Sequence, residues 1–323
     1  MILVTGGAGF IGSEVIRELT SAGLSVLAID NFDPYYDPIL KRHRWETVRN
    51  SSNVDFVEGS ILDEKLMRQL FESNKFDGVI NLAAMAGVRY SIEKPEKYIS
   101  VNTLGSLRLL ELMREFKVNN YVMASTSSLY AGCEMPFTED SDVRFPLSPY
   151  ASSKLGAETA AYTYNVNHGI SVKVLRYFTV YGPAGRPDMS PFRFIEWVAR
   201  GEKIQLYGDG KQSRDFTYVS DVAKATVSAL QMQDSSFEII NIGGGAERTS
   251  ILELIQLIEK NIGRKAHIDF LPKSPGDMLH TSANIDKANS ILSWSPTTSV
   301  EEGIELTVSW HMANQDWLTK IDL

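Results

Sequence analysis

Apolar residues fall into short, nearly unbroken runs, and between them lie stretches where they recur at helical spacing. The runs Ile2 to Thr5, Ser25 to Asp30, Val54 to Val57, Gly78 to Leu82, Tyr121 to Ser125 and Val172 to Tyr177 predict strands buried on both faces. Ile11, Val15 and Leu19 lie four apart, with Gly23 where a helix would end, and Leu66 with Leu70 and Leu104 with Leu107 continue the helical pattern. Parallel strands need crossover connections and helices supply them. The alternation therefore predicts an α/β fold, a doubly wound parallel Rossmann sheet.

Past Phe178 the pattern loosens, interrupted by Gly182-Pro183, Gly185 and Pro187. Residues 1–178 are predicted to form the sheet domain and 179–323 a second, smaller α/β domain for the substrate. Ser250 with Glu253 and Ser299 with Glu302 have capping-box spacing before apolar helical runs, so the second part is folded. A helical pattern from Ser220 to Leu230 and a strand-like run from Phe237 to Ile242 allow a segment of about 215–242 to return to the first sheet.

The 323 residues are 43% apolar and 22% charged, a globular composition without a run long enough to span a bilayer. The first residues lack a basic start, long apolar stretch and cleavage site, which predicts no secretory signal. One cysteine, Cys133, permits no internal disulfide and the five histidines show no ligand spacing, so a cytoplasmic protein without a metal is expected. A net charge of −8 argues against nucleic acid as a partner. The run Lys41-Arg42-His43-Arg44 is the local exception and reads as a solvated helix face.

The first strand runs into Gly6, Gly9 and Gly12, a G-x-x-G-x-x-G turn opening a helix. Glycine lets the backbone approach a pyrophosphate, whose charge the free N–H groups of the helix start stabilise. Eighteen residues past Gly12, Asp30 ends the second strand, where a carboxylate accepts from both ribose hydroxyls of adenosine and repels a 2′-phosphate. NAD is favoured over NADP. Lys41 has two readings, a contact at the adenosine end or a solvated surface side chain.

Tyr150 and Lys154 lie four apart behind Pro149, which places both on one helix face. An ammonium and an oxidised nicotinamide would each favour the phenolate of such a tyrosine, fitting it to take a proton from a hydroxyl as hydride leaves. Upstream, Thr126-Ser127-Ser128 follow the strand ending at Ser125, at the sheet edge where α/β folds bind ligands.

These residues resemble the extended short-chain dehydrogenase/reductase family over essentially the whole chain. Within it, the stretches Asn81 to Ser91, Arg176 to Pro183 and Gly185 to Met189 look most like UDP-glucuronate 4-epimerases. The resemblance implies Tyr150 as acid/base, Lys154 on the nicotinamide ribose, and Thr126, Ser127 and Ser128 around the reacting sugar. It adds Phe10, Ile11, Asn31, Ile61, Leu82 and Ala84 to the NAD site. It also implies substrate contacts by Arg89, Thr179, Arg186 near the sugar carboxylate, Arg214 on the diphosphate and Asp277 near uridine ribose. Ser60 and Ser274 depart from related epimerases, which often carry Asp at the first and Arg or Gln at the second. Ser127 and Ser128 stand where sugar 4,6-dehydratases carry Asp-Glu and decarboxylases usually carry Glu. A homodimer built on helices within 102–116 and 148–168 is implied as well.

The expected function is 4-epimerisation of UDP-glucuronate to UDP-galacturonate through a 4-keto intermediate. The alternative enzyme reading is a 4-epimerase of UDP-hexoses or UDP-N-acetylhexosamines. A non-catalytic dinucleotide-binding sensor is the reading from a different class.

Overall fold

The apolar runs assemble as β1 (Ile2–Thr5), β2 (Val26–Asp30), β3 (Val54–Glu58), β4 (Gly78–Asn81), β5 (Asn120–Thr126) and β6 (Ser171–Tyr177). The structure, a computed structural model, describes residues 1–321 apart from 52, 233, 235, 246, 247 and 273–277. The strand Phe237–Ile242 joins these six, and the seven pair in parallel in the order Phe237–Ile242, β6, β5, β4, β1, β2, β3. Chain order runs outward from β1 in both directions. Crossovers therefore leave opposite faces on either side of the β1/β4 junction and open a crevice at the strands' carboxyl ends.

Helices cover both faces, which is why strands such as β1, β2 and β6 are buried at every position. Helix α1 (Phe10–Ser21) inserts Val15, Ile16 and Leu19 into one face. The helix Val219–Gln231 packs beside it with Val222, Ala223 and Leu230 and leads into the strand Phe237–Ile242 at the sheet's edge. On the other face Leu109, Leu110 and Met113 meet Ala157 and Ala161 of the helix Pro149–His168. Leu104 and Leu107 keep the helical spacing but are not buried. They are 38% and 36% exposed, at and just after the end of a wide-turn segment, Ile99–Leu104.

The second part is built from strand pairs Thr179–Tyr181 with Phe216–Tyr218 and Lys203–Tyr207 with His267–Leu271, all parallel, and an antiparallel pair Ser213–Arg214 with Thr249–Ser250. Its separate core gathers Ile195, Ile204, Leu254, Ile258 and Ile304 from the helices Ser190–Arg200, Ile251–Ile262 and Val300–Ala313 and the strand between them. At Ser250 the reciprocal capping box is complete, whereas Ser299 accepts from the Glu302 N–H without the return bond. Among the described residues no helix is long and apolar enough to cross a membrane.

Candidate active site

The crevice at the switch point holds a cavity of about 410 Å³. At one end Gly6, Gly9 and Gly12 turn the chain from β1 into α1. Gly6 has φ +70°, and a Cβ there would sit 2.8 Å from the Ala83 nitrogen. The N-cap of α1 is Gly9, which supplies no side chain, so the first N–H groups of the helix face the crevice uncapped. Asp30 ends β2 with one carboxylate oxygen accepting from Ala8 N at 3.1 Å and the other from Phe32 N at 2.8 Å. Each oxygen keeps acceptor capacity for a ribose hydroxyl. Burial pushes this carboxyl's pKa up, against the pull of Lys41 and the two backbone donors. The uncapped helix start, the glycine turn and a buried carboxylate with acceptors to spare together fit an adenosine diphosphate.

Further along the crevice, β5 delivers Thr126, whose hydroxyl accepts from Ser128 N at 3.1 Å as the chain turns into the short helix Ser127–Tyr130. Pro149 and the Ser148 cap start the long helix that presents Tyr150 and, one turn on, Lys154. Lys154 Nζ donates to the Ala124 carbonyl at 2.8 Å. Burial lowers its pKa to about 8, opposed by the nearby Glu158 carboxylate. The amine is therefore easier to deprotonate folded than unfolded, and its contribution to stability rises with pH between about 8 and its ordinary 10.5.

Burial raises the Tyr150 phenol's pKa, while the nearby Thr126 hydroxyl and the Arg186 charge favour the phenolate. Desolvation is the largest effect on the phenol, and Lys154 is engaged with the backbone of β5.

Two buried networks hold this geometry. Glu158 pairs bidentately with Arg176 of β6 at 3.0 and 2.7 Å and also accepts from Ser125, tying the tyrosine helix to both central strands. Asn102 accepts from Met85 N at 2.8 Å and donates to Met85 O at 2.9 Å and Ser153 Oγ at 2.8 Å, which joins a wall of the cavity to the same helix.

Of the residues singled out from sequence, Gly6, Gly9, Phe10, Ile11, Gly12, Asp30, Asn31, Lys41, Ile61, Leu82 and Ala84 line the cavity, as do Thr126, Ser127, Ser128, Tyr150, Lys154, Thr179 and Arg186. Ser60 lines it too. Arg89 and Arg214 do not. The Arg89 guanidinium lies 4.9 Å over the Tyr207 ring of the second part, and Arg214 donates to the Ser213 carbonyl at 2.9 Å. Asp277 and Ser274 lie outside the described residues.

The basic run in α2 (Pro38–Val48) is only in part the solvated face expected of it, with Arg42 exposed and the residues at either end of the run turned inward. Arg44 is 2% exposed and donates to the Ala184 and Gly185 carbonyls at 2.8 and 2.9 Å, while Lys41 is buried with Nζ on the Asp33 carbonyl at 2.8 Å. Sequence reasoning also missed Tyr35, Tyr36 and Met85, which line the cavity. The aromatic pair directly after β2 was the available signal for the first two.

A family model described as the NAD dependent epimerase/dehydratase family matches residues 2–243. The chain belongs to that family. A UDP-glucuronate 4-epimerase of Thermodesulfobacterium geofontis is 46% identical over 319 residues, covering 99% of this chain and 98% of the relative. The crystal structure of a Bacillus cereus UDP-glucuronic acid 4-epimerase in complex with UDP-glucuronic acid and NAD superposes with a TM-score of 0.89 at 37% identity, covering 97% of this chain and 99% of that one. A UDP-glucose 4-epimerase of Thermotoga maritima with UDP-glucose gives 0.87 at 33% identity, with 97% and 99% covered. In this NAD dependent epimerase/dehydratase chain, Tyr150 and Thr126 line the same cavity as the glycine turn, which places the phenol to exchange a proton with a hydroxyl. Among the described residues no group of His, Cys, Asp or Glu is arranged to hold a metal ion.

Proposed function

We propose that the protein is a cytoplasmic, homodimeric NAD-dependent 4-epimerase that interconverts UDP-glucuronate and UDP-galacturonate. The observation that carries the reading is the convergence of Thr126, Tyr150, Lys154 and Arg186 on one cavity whose far end suits a dinucleotide. NAD, when bound, supplies a reversible two-electron acceptor. Gly6, Gly9, Gly12 and the start of α1 would hold its pyrophosphate, Asp30 its adenosine ribose, and Lys154 its nicotinamide ribose.

Tyr150 takes the proton of the sugar 4-hydroxyl as the C4–H bond gives up hydride, and Thr126, lining the same cavity, orients that hydroxyl. The 4-keto sugar then turns about its diphosphate linkage and presents its other face. Tyr150 returns the proton to the C4 oxygen as hydride comes back, so no external oxidant is consumed. A 4-keto glucuronate is a β-keto acid that loses CO2 when its C5–C6 bond stands perpendicular to the carbonyl plane. Thr126, Ser127, Ser128 and Arg186 hold the carboxylate away from that alignment.

One observation favours the neutral-hexose reading: the Arg186 charge is already paired with Asp188. Comparing kcat/KM for UDP-glucuronate and UDP-glucose decides between them. A preference of about a hundredfold for the uronate is expected, the effect of losing one charge-assisted contact of about 2.8 kcal/mol. Equal turnover, or faster turnover of UDP-glucose, would overturn the uronate assignment.

The homodimer is supported by large apolar side chains left exposed on and beside the two helices that the family resemblance places at an interface. Ile99, Leu104 and Leu107 are 45%, 38% and 36% exposed, and Tyr162 and Val166 of the tyrosine helix are 52% and 60% exposed. Sedimentation at the mass of a single chain would contradict it.

A further inference from the structure

Arg186 is held from two sides. Its Nε donates to Asp188 Oδ1 at 3.0 Å and its Nη2 to Asp188 Oδ2 at 2.6 Å, a bidentate pairing that fixes the guanidinium plane. The Tyr35 phenol donates to the same Asp188 Oδ2 at 3.1 Å, and its ring lies 5.9 Å from the guanidinium carbon. Beneath them, Arg44 anchors the loop through the Ala184 and Gly185 carbonyls. A site built only to attract a carboxylate would not set a second carboxylate against its arginine, because that partner cancels the attracting charge and repels the ligand. What Asp188 adds is orientation.

We propose that Asp188 and Tyr35 are positioning residues. By fixing the plane of Arg186 they fix where C6 of the bound sugar acid sits relative to the C4 carbonyl, so the 4-keto intermediate goes on to epimer instead of losing CO2. This rests on the reading of UDP-glucuronate as substrate. The suppressed reaction is balanced without any further reagent. The C5–C6 bond breaks, its electrons pass to the C4 carbonyl as an enolate, CO2 leaves, and water protonates C5. The product departs as UDP-4-ketopentose or, once hydride returns to C4, as UDP-pentose.

The test is the ratio of pentose products to UDP-galacturonate, measured by NMR on UDP-glucuronate with the NAD-loaded wild type, Asp188→Asn and Tyr35→Phe. The ratio is expected to rise on the order of tenfold in Asp188→Asn. It should rise in the same direction but less in Tyr35→Phe, which loses one hydrogen bond and keeps the ring. KM for UDP-glucuronate should not rise in Asp188→Asn, since a negative charge is removed beside the bound carboxylate. A merely structural role would lower total turnover and leave the ratio alone. An unchanged ratio in Asp188→Asn overturns the proposal, and should that variant fail to fold, an unchanged ratio in Tyr35→Phe does so. A wild type that leaves UDP-glucuronate untouched would instead remove the substrate assignment beneath it.

Discussion

Replacing Tyr150 with Phe is expected to lower kcat for UDP-glucuronate about a thousandfold while leaving dinucleotide and substrate affinity nearly intact. The phenol is the one side chain placed to exchange the hydroxyl proton, and losing a positioned acid/base costs about two to four orders of magnitude. The ring itself survives the change. It packs edge-on against Tyr98 with centroids 6.0 Å apart, and Tyr98 is anchored by its own bonds to the Ala86 and Gly87 carbonyls. The phenylalanine therefore fills the same space, and the loss falls on kcat. Steady-state kinetics with titrations of NAD and UDP-glucuronate check this. A variant with full turnover would show that the proton moves by another route.

Replacing Gly12 with Ala is expected to weaken NAD binding by about two orders of magnitude, near 2.8 kcal/mol, and to destabilise the fold by about 3 kcal/mol. A Cβ at this position would lie 2.1 Å from the Gly6 carbonyl oxygen, 3.0 Å from its carbon and 3.1 Å from Gly7 Cα, all backbone atoms that no side-chain rotation can move aside. The α1 start would have to draw away from the glycine turn, and its uncapped N–H groups with it. Calorimetric titration of NAD and thermal unfolding read the two effects separately. Unaltered NAD affinity would show that the pyrophosphate lies elsewhere.

Most of the sheet was legible because period and burial coincide in it. A parallel strand covered on both faces must be apolar at successive positions, so β1, β2 and β6 stand out without any tertiary information. The glycine turn, Asp30, Tyr150 and Lys154 were legible because each sits at a strand end or one helical turn from its neighbour, where spacing alone fixes the geometry. Arg44 was misread for the opposite reason. A basic run looks solvated in sequence, and only the arrival of the Ala184–Gly185 loop, 140 residues on, gives its guanidinium buried acceptors.

The Arg186–Asp188 pair reads in sequence as ordinary loop polarity, and Tyr35, distant in the chain, reveals that it is oriented. Leu104 and Leu107 follow the helical spacing, yet period does not tell a buried position from an exposed one. The cost of burying the Tyr150 phenol does not show in a pair of letters four apart.

Epimerisation with retained hydrogen is the claim everything else depends on. The direct measurement follows UDP-glucuronate carrying deuterium at C4 through turnover by the purified NAD-loaded protein in ordinary water. The expected result is UDP-galacturonate with the deuterium still on C4 and none in the solvent. Product carrying solvent hydrogen at C4, or no product at all, would contradict it.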